Sequence, residues 1–366
     1  MPVNINLLLE AMPRIEASDL HLKVGVAPLY RINGELRPVE HTPLTDKDIL
    51  EAIDEIMAPR KKVILDEQGT VDFGYSIPNV SRFRINVFRQ RGSLSMAIRT
   101  VKLKTPTFDD LRLPVDTMER ICDTRRGLVL VTGVTGSGKS TTLAAMISYI
   151  NRTRREHIIT VEDPIEYAYR DDKSIINQIE VGTDIPTFEI ALKYVLRQDP
   201  DVILIGEMRD VETVKTALTA TETGHMCFGT LHTSDATQTI NRILHFFSAE
   251  EEKLILEQLS LNLRAVVSQR LILAAGSLAR IPALEIMIGT PIVRKLIREG
   301  RITELKQAIK NQEEGMITFN QHLVEMAKAR IIDFEEGLKY CEDEGAYRRN
   351  VKGIYSEGDR GGLVGV

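Results

Sequence analysis

The segment GLVLVTGVTGSGKST, residues 127–141, constrains the fold of this chain more than any other. The apolar run at residues 128–131 shows no polar alternation, which is typical of a strand buried on both faces of a sheet. It leads directly into the pattern G-x-x-x-x-G-K-[ST] at residues 133–140, and a helix-compatible segment continues over residues 139–150. This strand–loop–helix order predicts a phosphate-binding loop, and it favours that interpretation over a structural glycine-rich turn.

Each residue type in the loop has a chemical role. Glycines let backbone N–H groups wrap the phosphates, Lys139 meets the charge of the β- and γ-phosphates, and the Ser140 hydroxyl ligates Mg²⁺. We therefore expect a nucleoside triphosphate and Mg²⁺ to bind here. The predicted nucleotide-binding residues of the loop are Gly133, Val134, Thr135, Gly136, Ser137, Gly138, Lys139, Ser140 and Thr141.

Three further apolar runs, HIITVED, DVILIGE and MCFGTLH, predict more strands of a parallel α/β sheet. Acidic residues follow two of them, and ligands bind at the carboxyl ends of parallel strands. Hydrolysis needs one carboxylate for the attacking water and another for Mg²⁺, directly or through water. Glu162 and Glu207 are the candidates for these two roles, and the sequence leaves open which one activates the water. Glu166 is equally well explained as a solvated or structural acid.

Two histidines bracket the strand in TGHMCFGTLHTSD, residues 223–235. If the strand is extended, His225 and His232 are separated by roughly 23 Å, and their odd offset points them to opposite faces. They cannot share one metal ion. His232 follows the carboxyl end of the strand and can reach a γ-phosphate, whereas His225 is interpreted as structural or as part of an intersubunit contact.

The N-terminal part is predicted to be rich in antiparallel strands. Asn33 and Gly34 favour a type I′ hairpin turn, and residues 45–57 favour a helix. The segment SRFRINVFRQRGSLSMAIRTV, residues 81–101, predicts a second hairpin with one buried face. Its polar face carries arginines, of which the candidates for a function are Arg82, Arg84 and Arg99; a solvated face is the ordinary alternative.

Changes in pattern along the chain suggest its domain boundaries. Residues 1–101 form the N-terminal domain, and residues 102–114 lose periodicity and contain two prolines, which predicts a linker. The ATPase domain is expected over residues 115–341, mostly helical from about residue 248. Residues 342–366 are rich in glycine and charge, and we expect a mobile tail.

Composition limits the function classes. The chain has 366 residues, a formal charge of -5, no tryptophan, and three widely separated cysteines without a CxxC pair. An acidic balance argues against a nucleic-acid partner, and the cysteines favour a reducing compartment without a zinc site. No apolar run approaches the ~18 residues of a membrane span. We therefore expect a cytoplasmic protein without a transmembrane segment.

Four ordered motifs, GVTGSGKSTT, ITVEDPIEY, LRQDPDVILIGEMRD and TGHMCFGTLHTSDA, resemble those of the secretion ATPase superfamily, the ring motors of type IV pili and type II secretion. SDLHL at residues 18–22 and SRFRINVFRQR are also similar. The resemblance implies α/β architecture, with a PAS-like N-terminal domain and a RecA-like P-loop ATPase domain with a helical C-terminal part. It also implies a homohexamer, ATP with Mg²⁺, and nucleotide near the interface between the two domains.

Within the superfamily the chain most resembles the pilus retraction ATPases, the PilT-like branch. Extension and secretion ATPases generally carry a long additional N-terminal region, and many carry a four-cysteine zinc element; neither is present in this sequence. IVRKLIRE, residues 292–299, is similar to the AIRNLIRE segment associated with retraction. Residues 294 and 296–299 match, and residues 292, 293 and 295 depart. An ordinary surface helix is the alternative interpretation.

The resemblance assigns roles to individual residues. It makes Glu162 the catalytic glutamate, Glu207 the support of Mg²⁺, and His232 the contact or sensor of the γ-phosphate. It also implies that arginines reach the triphosphate, Arg84 and Arg99 first and Arg82 next. Arg197 and Arg209, which flank the Walker B strand, are secondary candidates for intersubunit contacts. The implied partner is the pilus inner-membrane platform protein, reached at the cytoplasmic face of the inner membrane by a peripheral association. The implied work is pilin disassembly for twitching motility.

Three alternatives remain at this point. An accessory, extension or secretion ATPase would share the same motifs. A RecA-like nucleic-acid translocase would share the ATPase core, but it would need a basic groove bearing aromatic residues. A nucleotide-dependent scaffold would bind ATP without hydrolysing it.

Overall fold

The computed structural model describes residues 3–78, 80–102 and 104–356, and these form two compact units. The first contains the chain up to Lys104, with Pro164–Ala168 and Gly182–Asp184. The second contains Thr105–Asp163, Tyr169–Val181 and the chain from Ile185 onward. The division falls within the predicted linker at residues 102–114. Within the described residues, no helix combines the length and the apolarity that crossing a bilayer requires.

The first unit is a six-stranded antiparallel sheet with strand order β3-β2-β1-β6-β5-β4, accompanied by three helices. Its strands are β1 (Asp19–Lys23), β2 (Leu29–Ile32), β3 (Glu35–Pro38), β4 (Thr70–Ile77), β5 (Ser81–Gln90) and β6 (Ser93–Thr100). Its helices are α1 (Ile5–Arg14), α2 (Asp46–Ile56) and α3 (Pro59–Gln68).

Local sequence signals explain several of these elements. Asn33 and Gly34 have φ of 51° and 86°, which confirms the predicted type I′ turn between β2 and β3. Helix α2 begins after Thr45, whose side chain forms a capping box with Asp48, and this confirms the predicted helix. The predicted hairpin of β5 and β6 is also confirmed.

The second unit is a seven-stranded sheet with order β13-β12-β7-β11-β10-β8-β9. All neighbours are parallel except β12 and β13, which are antiparallel. Its strands are β7 (Gly127–Thr132), β8 (His157–Glu162), β9 (Ile175–Glu180), β10 (Val202–Ile205), β11 (Met226–Leu231), β12 (Leu263–Leu273) and β13 (Arg280–Ile288).

The helices of the second unit flank this sheet or follow it. They are α4 (Val115–Asp123), α5 (Lys139–Thr153), α6 (Phe188–Val195), α7 (Val211–Glu222), α8 (Ala236–Leu244), α9 (Glu252–Asn262), α10 (Pro291–Arg298), α11 (Leu305–Lys310), α12 (Phe319–Lys328), α13 (Phe334–Tyr340) and α14 (Glu344–Val351). Short 3-10 helices lie at Ile302–Glu304 and Glu313–Gly315.

The central strands are buried on both faces, as their continuous apolar runs predict. Leu128 and Leu130 of β7 belong to the hydrophobic cluster on one side of the sheet, which includes residues of α7 and α9. Val129 and Val131 belong to the opposite cluster, with residues of α4 and α5. Covering both faces therefore selects apolar residues at successive positions.

The C-terminal part is helical except for one hairpin, and the prediction of a mobile tail is wrong. Residues 263–288 are not helical; β12 and β13 form a long hairpin that extends the parallel sheet at the β7 edge. The expected mobile tail at residues 342–366 contains helix α14, whose Tyr347 is fully buried and stacks on Phe334 at 5.4 Å between ring centroids. Burial of this ring fixes the segment. Residues 357–366 lie outside the described residues.

Candidate functional site

The loop between β7 and α5 has the backbone conformation of a phosphate cradle. Gly136 and Gly138 have φ of 77° and 92°, which residues with a β-carbon rarely adopt. Helix α5 begins directly after Gly138, its N-cap residue, which has no side chain to cap the first N–H groups. An uncapped helix N-terminus at the end of a glycine-rich loop is suited to an anion.

Gly133 is required at the first position of the loop because there is no space for a side chain. A β-carbon there would lie 2.4 Å from the carbonyl oxygen of Gln269 and 2.5 Å from Oγ of Ser137. The Ser137 hydroxyl itself is buried and has no hydrogen-bond partner in the part of the chain that the structure describes. The loop thus offers a polar group for a ligand as well as backbone donors.

Lys139 lies across this loop. Its side chain is largely buried, and Nζ donates hydrogen bonds to the carbonyl oxygens of Gly133 at 2.8 Å and Val134 at 3.2 Å. A charged acceptor makes a stronger hydrogen bond with an ammonium group than a carbonyl does. Phosphate oxygens would therefore be better partners for Lys139 than its present ones.

The register of the sheet brings the other candidates of this unit to the same edge. Leu231 of β11 is paired with Thr132 of β7, so His232 follows its strand at the level where the phosphate loop begins. Ile205 of β10 is paired with Val161 of β8, and Glu162 and Glu207 follow this pair by one and two residues, respectively. The carboxyl ends of four neighbouring parallel strands thus carry the phosphate loop, His232, Glu207 and Glu162.

Glu162 is held by its neighbours on the sheet. Its Oε1 accepts hydrogen bonds from Oγ1 of Thr160 at 2.6 Å and from Nε2 of Gln178 at 3.2 Å. Gly206 allows the chain after β10 to approach, since a β-carbon there would lie 3.3 Å from the Cα of Glu162. The carboxylate is therefore oriented by polar contacts.

Glu207 is in a different environment. Its Oε2 accepts a hydrogen bond of 2.6 Å from Nη2 of Arg209, and its Oε1 lies 3.2 Å from Nε2 of His232. The hydrogen bond from Arg209, with a smaller contribution from His232, lowers the pKa of Glu207. This carboxylate is thus kept ionised, which suits a group that attracts Mg²⁺ or its water shell.

His225 and His232 lie at opposite ends of β11 and contact different residues, as their spacing in the sequence predicts. Nδ1 of His225 lies 2.9 Å from both Oγ1 of Thr223 and the carbonyl oxygen of Ala220, at the opposite end of β11 from His232. Over residues 3–78, 80–102 and 104–356 no cluster of three histidine, cysteine or acidic residues could enclose a metal ion.

A site for Mg²⁺ does not require such a cluster, because Mg²⁺ needs only one or two protein ligands when phosphates and water supply the rest. The hydroxyl of Ser140 and the carboxylate of Glu207 fit that requirement.

The predicted arginines of the first unit lie on its hairpin. Arg84 of β5 is paired directly with Arg99 of β6, and each is held by one aspartate. Nε of Arg84 lies 3.5 Å from Asp72, and Nε of Arg99 lies 2.9 Å from Asp19. Two adjacent guanidinium groups on an exposed face attract anions.

Three other candidates have local contacts. Arg82 donates from Nη1 to the Ser76 hydroxyl at 3.2 Å. Arg197 lies against the ring of Tyr194, with Cζ 5.8 Å from the ring centroid. Glu166 belongs to the first unit, and its carbonyl oxygen accepts the N–H of Lys102.

Residues 292–299 lie in and directly after α10. Val293, Leu296 and Ile297 are buried, while Arg294 and Arg298 are exposed. The segment is therefore an amphipathic surface helix. This geometry agrees with both interpretations made from the sequence.

Sequence reasoning missed two glutamines at this edge of the sheet. Gln178 contacts Glu162 from the edge strand β9, and Gln269 contacts the phosphate loop from β12. Neither strand was predicted. The available signal for Gln269 was the polar pair Ser268 and Gln269 inside the apolar run RAVVSQRLIL.

Comparisons with known proteins identify the family of this chain. Residues 4–349 match the family model of the type II/IV secretion system protein. The type IV pilus retractation ATPase PilT of Pseudomonas aeruginosa is 43% identical over 334 residues, which cover 91% of this chain and 96% of that protein. The type IV pilus ATPase PilU of the same organism is 39% identical over 353 residues, covering 96% and 92%.

A solved structure gives the same result. The crystal structure of the pilus retraction motor PilT with bound ADP has a TM-score of 0.86 and 42% identity, and the match covers 95% of this chain and 99% of that chain. The fold, the phosphate loop and the family match thus agree with one another. This chain therefore belongs to the family of type II/IV secretion system proteins, as a RecA-like P-loop ATPase with an N-terminal domain and a helical C-terminal part.

Proposed function

We propose that this chain hydrolyses ATP with Mg²⁺ and, as a homohexamer, powers the retraction of type IV pili. The observation that carries the proposal is the edge of the sheet where the phosphate loop, Glu162, Glu207 and His232 meet. It is supported by a similarity that covers more than nine-tenths of the chain to a protein named as a pilus retraction ATPase.

The residues of the second unit divide the work of hydrolysis. Lys139 and the loop N–H groups bind the phosphates, and the Ser140 hydroxyl and Glu207, the latter through water, hold Mg²⁺. When bound, Mg²⁺ supplies positive charge that neutralises the phosphate oxygens. Glu162 handles the attacking water, because Glu207 is kept ionised by Arg209 and is a weaker base. His232, beside Glu207, senses the γ-phosphate.

Arg84 and Arg99, with Arg82, reach the triphosphate from the first unit. Guanidinium groups suit the charge that grows on phosphate oxygens in the transition state. A preference of these arginines for ATP over ADP gives the differential affinity that a cycle of closing and opening needs. When the subunits of a ring close and open in turn, this cycle converts hydrolysis into movement of a partner protein. The partner proposed is the pilus inner-membrane platform protein, at the cytoplasmic face of the inner membrane.

The first experiment measures release of phosphate from Mg-ATP. Wild type should turn over ATP, and Glu162→Gln should lower kcat by about a hundredfold or more, since general-base catalysis contributes this much. Glu257→Gln removes an exposed carboxylate on α9 and is the matched control, with unchanged turnover expected. Equal inertness of wild type and Glu162→Gln would reject hydrolysis and support the scaffold alternative. Strong stimulation by single-stranded DNA would instead support the translocase.

The second experiment tests the direction of the motor in the source cells. Deleting the gene should leave excess pili that do not retract, and wild type but not Glu162→Gln should restore retraction. Cells without pili would indicate an extension ATPase. Retraction that persists without this chain would indicate an accessory role. The similarity to PilU, at 39% identity over 96% of the chain, is the reason to score this outcome.

The third experiment tests assembly. Native mass spectrometry with ADP should give six copies of the chain. A monomer under the same conditions would contradict the ring.

A further inference from the structure

Gln269 is a buried polar residue on the strand next to the phosphate loop. Its side chain is 1% exposed, and its Nε2 donates a hydrogen bond of 2.6 Å to the carbonyl oxygen of Ser137. Its Oε1 accepts a hydrogen bond of 2.9 Å from Oγ1 of Thr142, on the first turns of α5. One side chain thus connects the loop to the helix that follows it.

The orientation of the Gln269 amide follows from the chemistry of its partners. A carbonyl oxygen can only accept a hydrogen bond, so the amide NH₂ group must face Ser137. The amide oxygen then faces Thr142, whose hydroxyl donates. All of these side chains are buried, so water does not replace either bond at low cost.

The position of Gln269 is set by the register of the sheet. The preceding residue, Ser268, is paired with Thr132 at the end of β7, and their hydroxyl oxygens lie 2.8 Å apart. Gln269 is therefore the first residue of β12 beyond the paired end of β7. Gly133 and Gly138 complete the fit, because a β-carbon on either would lie 3.0 Å or less from an atom of Gln269.

A phosphate cradle needs its N–H groups turned toward the ligand and its carbonyl groups turned away. A carbonyl oxygen that pointed at a phosphate would repel it. The hydrogen bond from Gln269 fixes the direction of the Ser137 carbonyl, two residues before Lys139. The bond to Thr142 fixes the helix that carries Lys139 and Ser140.

We propose that Gln269 is a positioning residue of the nucleotide site, which shapes the phosphate loop for an anion before the nucleotide binds. Its ligand class is the polyphosphate of a nucleotide, in the ADP as well as the ATP state. The inference rests on the proposed nucleotide binding, but it is independent of pilus retraction and of hydrolysis.

The test is equilibrium binding of ADP to the purified full chain at about pH 8 and about pH 6. Gln269→Met keeps the size of the side chain and removes both hydrogen bonds, and it should weaken ADP binding roughly tenfold or more, because a buried carbonyl loses its partner. Gln269→Glu should bind worse still at the higher pH, since its carboxylate would face the Ser137 carbonyl. At the lower pH its protonated form can donate to Ser137, and affinity should recover in part.

Gln258→Met is the matched control. Gln258 donates to Glu222 at 2.8 Å on the surface of the same unit, and its replacement should leave ADP binding unchanged. Circular dichroism and urea unfolding at both pH values separate positioning from a loss of folded protein, because a buried carboxylate at position 269 would itself lower the stability at the higher pH. Affinities are therefore compared at pH values where each variant is folded.

A second variant keeps the test decisive if the Gln269 variants do not fold. Thr142→Val is nearly isosteric and should weaken ADP binding roughly threefold, because Oε1 of Gln269 loses its donor. Unchanged affinity of folded Gln269→Met or, failing that, of Thr142→Val would overturn the inference. Absence of ADP binding by wild type would overturn the proposed function as well, so the two failures are distinguishable.

Discussion

Oε1 of Glu207 lies 3.2 Å from Nε2 of His232, and this contact joins the residues that follow two neighbouring strands, β10 and β11. The other oxygen of the same carboxylate is held by Arg209 at 2.6 Å. Glu207 is thus shared between the guanidinium group of Arg209 and the imidazole ring of His232. A displacement of His232 by a γ-phosphate would change the surroundings of the carboxylate proposed to hold Mg²⁺.

Replacing Arg209 should make the ATPase activity more sensitive to acid. The hydrogen bond from Arg209 is the largest cause of the lowered pKa of Glu207. In Arg209→Met this pKa rises toward its usual range, so Glu207 becomes protonated at a higher pH than in wild type. The acid limb of the profile of kcat/KM against pH should therefore move upward. Lys215→Met, which removes a surface ion pair with Glu251, is the control, and superimposable acid limbs for Arg209→Met and wild type would contradict the prediction.

Glu285 should make the unfolding free energy depend on pH. Glu285 is 2% exposed, its carboxyl accepts the N–H of Ala236 at 2.9 Å, and burial raises its pKa from 4.5 to about 7. Between these values the folded chain keeps a proton that the unfolded chain has lost, so stability falls as pH rises through this window. Glu285→Gln should match wild type near pH 5 and exceed it by about 3 kcal/mol near pH 8.5.

Urea unfolding at both pH values measures this difference. Glu257→Gln, on the surface, should show no such dependence relative to wild type. An equal effect of Glu285→Gln at both pH values would mean that the carboxyl does not change its charge in this range.

Removing Arg154 should leave a buried carboxylate with too few partners. Nε and Nη2 of Arg154 donate to Oε1 of Glu156 at 2.8 and 2.6 Å, and both side chains are nearly inaccessible. Arg154→Met should cost about 3 kcal/mol in urea unfolding, because Glu156 stays buried and keeps as a charged partner the exposed Arg125, whose Nη1 lies 2.9 Å from Oε1 of Glu156. Arg155→Met is the adjacent, exposed control and should cost less than about 1 kcal/mol. Similar losses for the two variants would refute the importance of the buried pair.

The C-terminal helix α14 should contribute to global stability. Tyr347 is fully buried, and a β-carbon on Gly337 would lie 2.0 Å from its hydroxyl oxygen. Tyr347→Ala should cost about 3–5 kcal/mol, and Gly337→Ala about 1–3 kcal/mol through overpacking. Tyr355→Ala, at a residue that is 42% exposed, is the control. Thermal unfolding that is insensitive to Tyr347→Ala would restore the interpretation of a mobile tail.

The features that could be predicted from the sequence depend on residues close together in the chain. The turn at Asn33 and Gly34 needs two adjacent positive φ values, and the phosphate loop is a contiguous motif after a contiguous apolar run. The edge shared by Glu162, Glu207 and His232 followed from one rule about parallel strands. Their roles in catalysis stay predictions until the variants are measured.

The features that were missed depend on distant partners. Ser268 and Gln269 interrupt an apolar run, and such a pattern suits a helix as well as a strand; their partners lie 136 and 132 residues away. Glycine and charge made the C-terminal segment look mobile, but Tyr347 finds its ring partner in the preceding helix. Strand β9 is an edge strand with mixed exposure, and its pattern is too weak to identify it.

The parallel pairing of β7 with β12 has a consequence for synthesis of the chain on the ribosome. Gln269, which donates a hydrogen bond to the carbonyl oxygen of Ser137, is translated 132 residues after it. When the whole G-x-x-x-x-G-K-[ST] motif has left the ribosome, strand β12, which pairs with β7 and carries Gln269, has not yet been translated. If Gln269 shapes the loop, competence to capture nucleotide arrives late in translation, after the strands that carry Glu162, Glu207 and His232 have emerged.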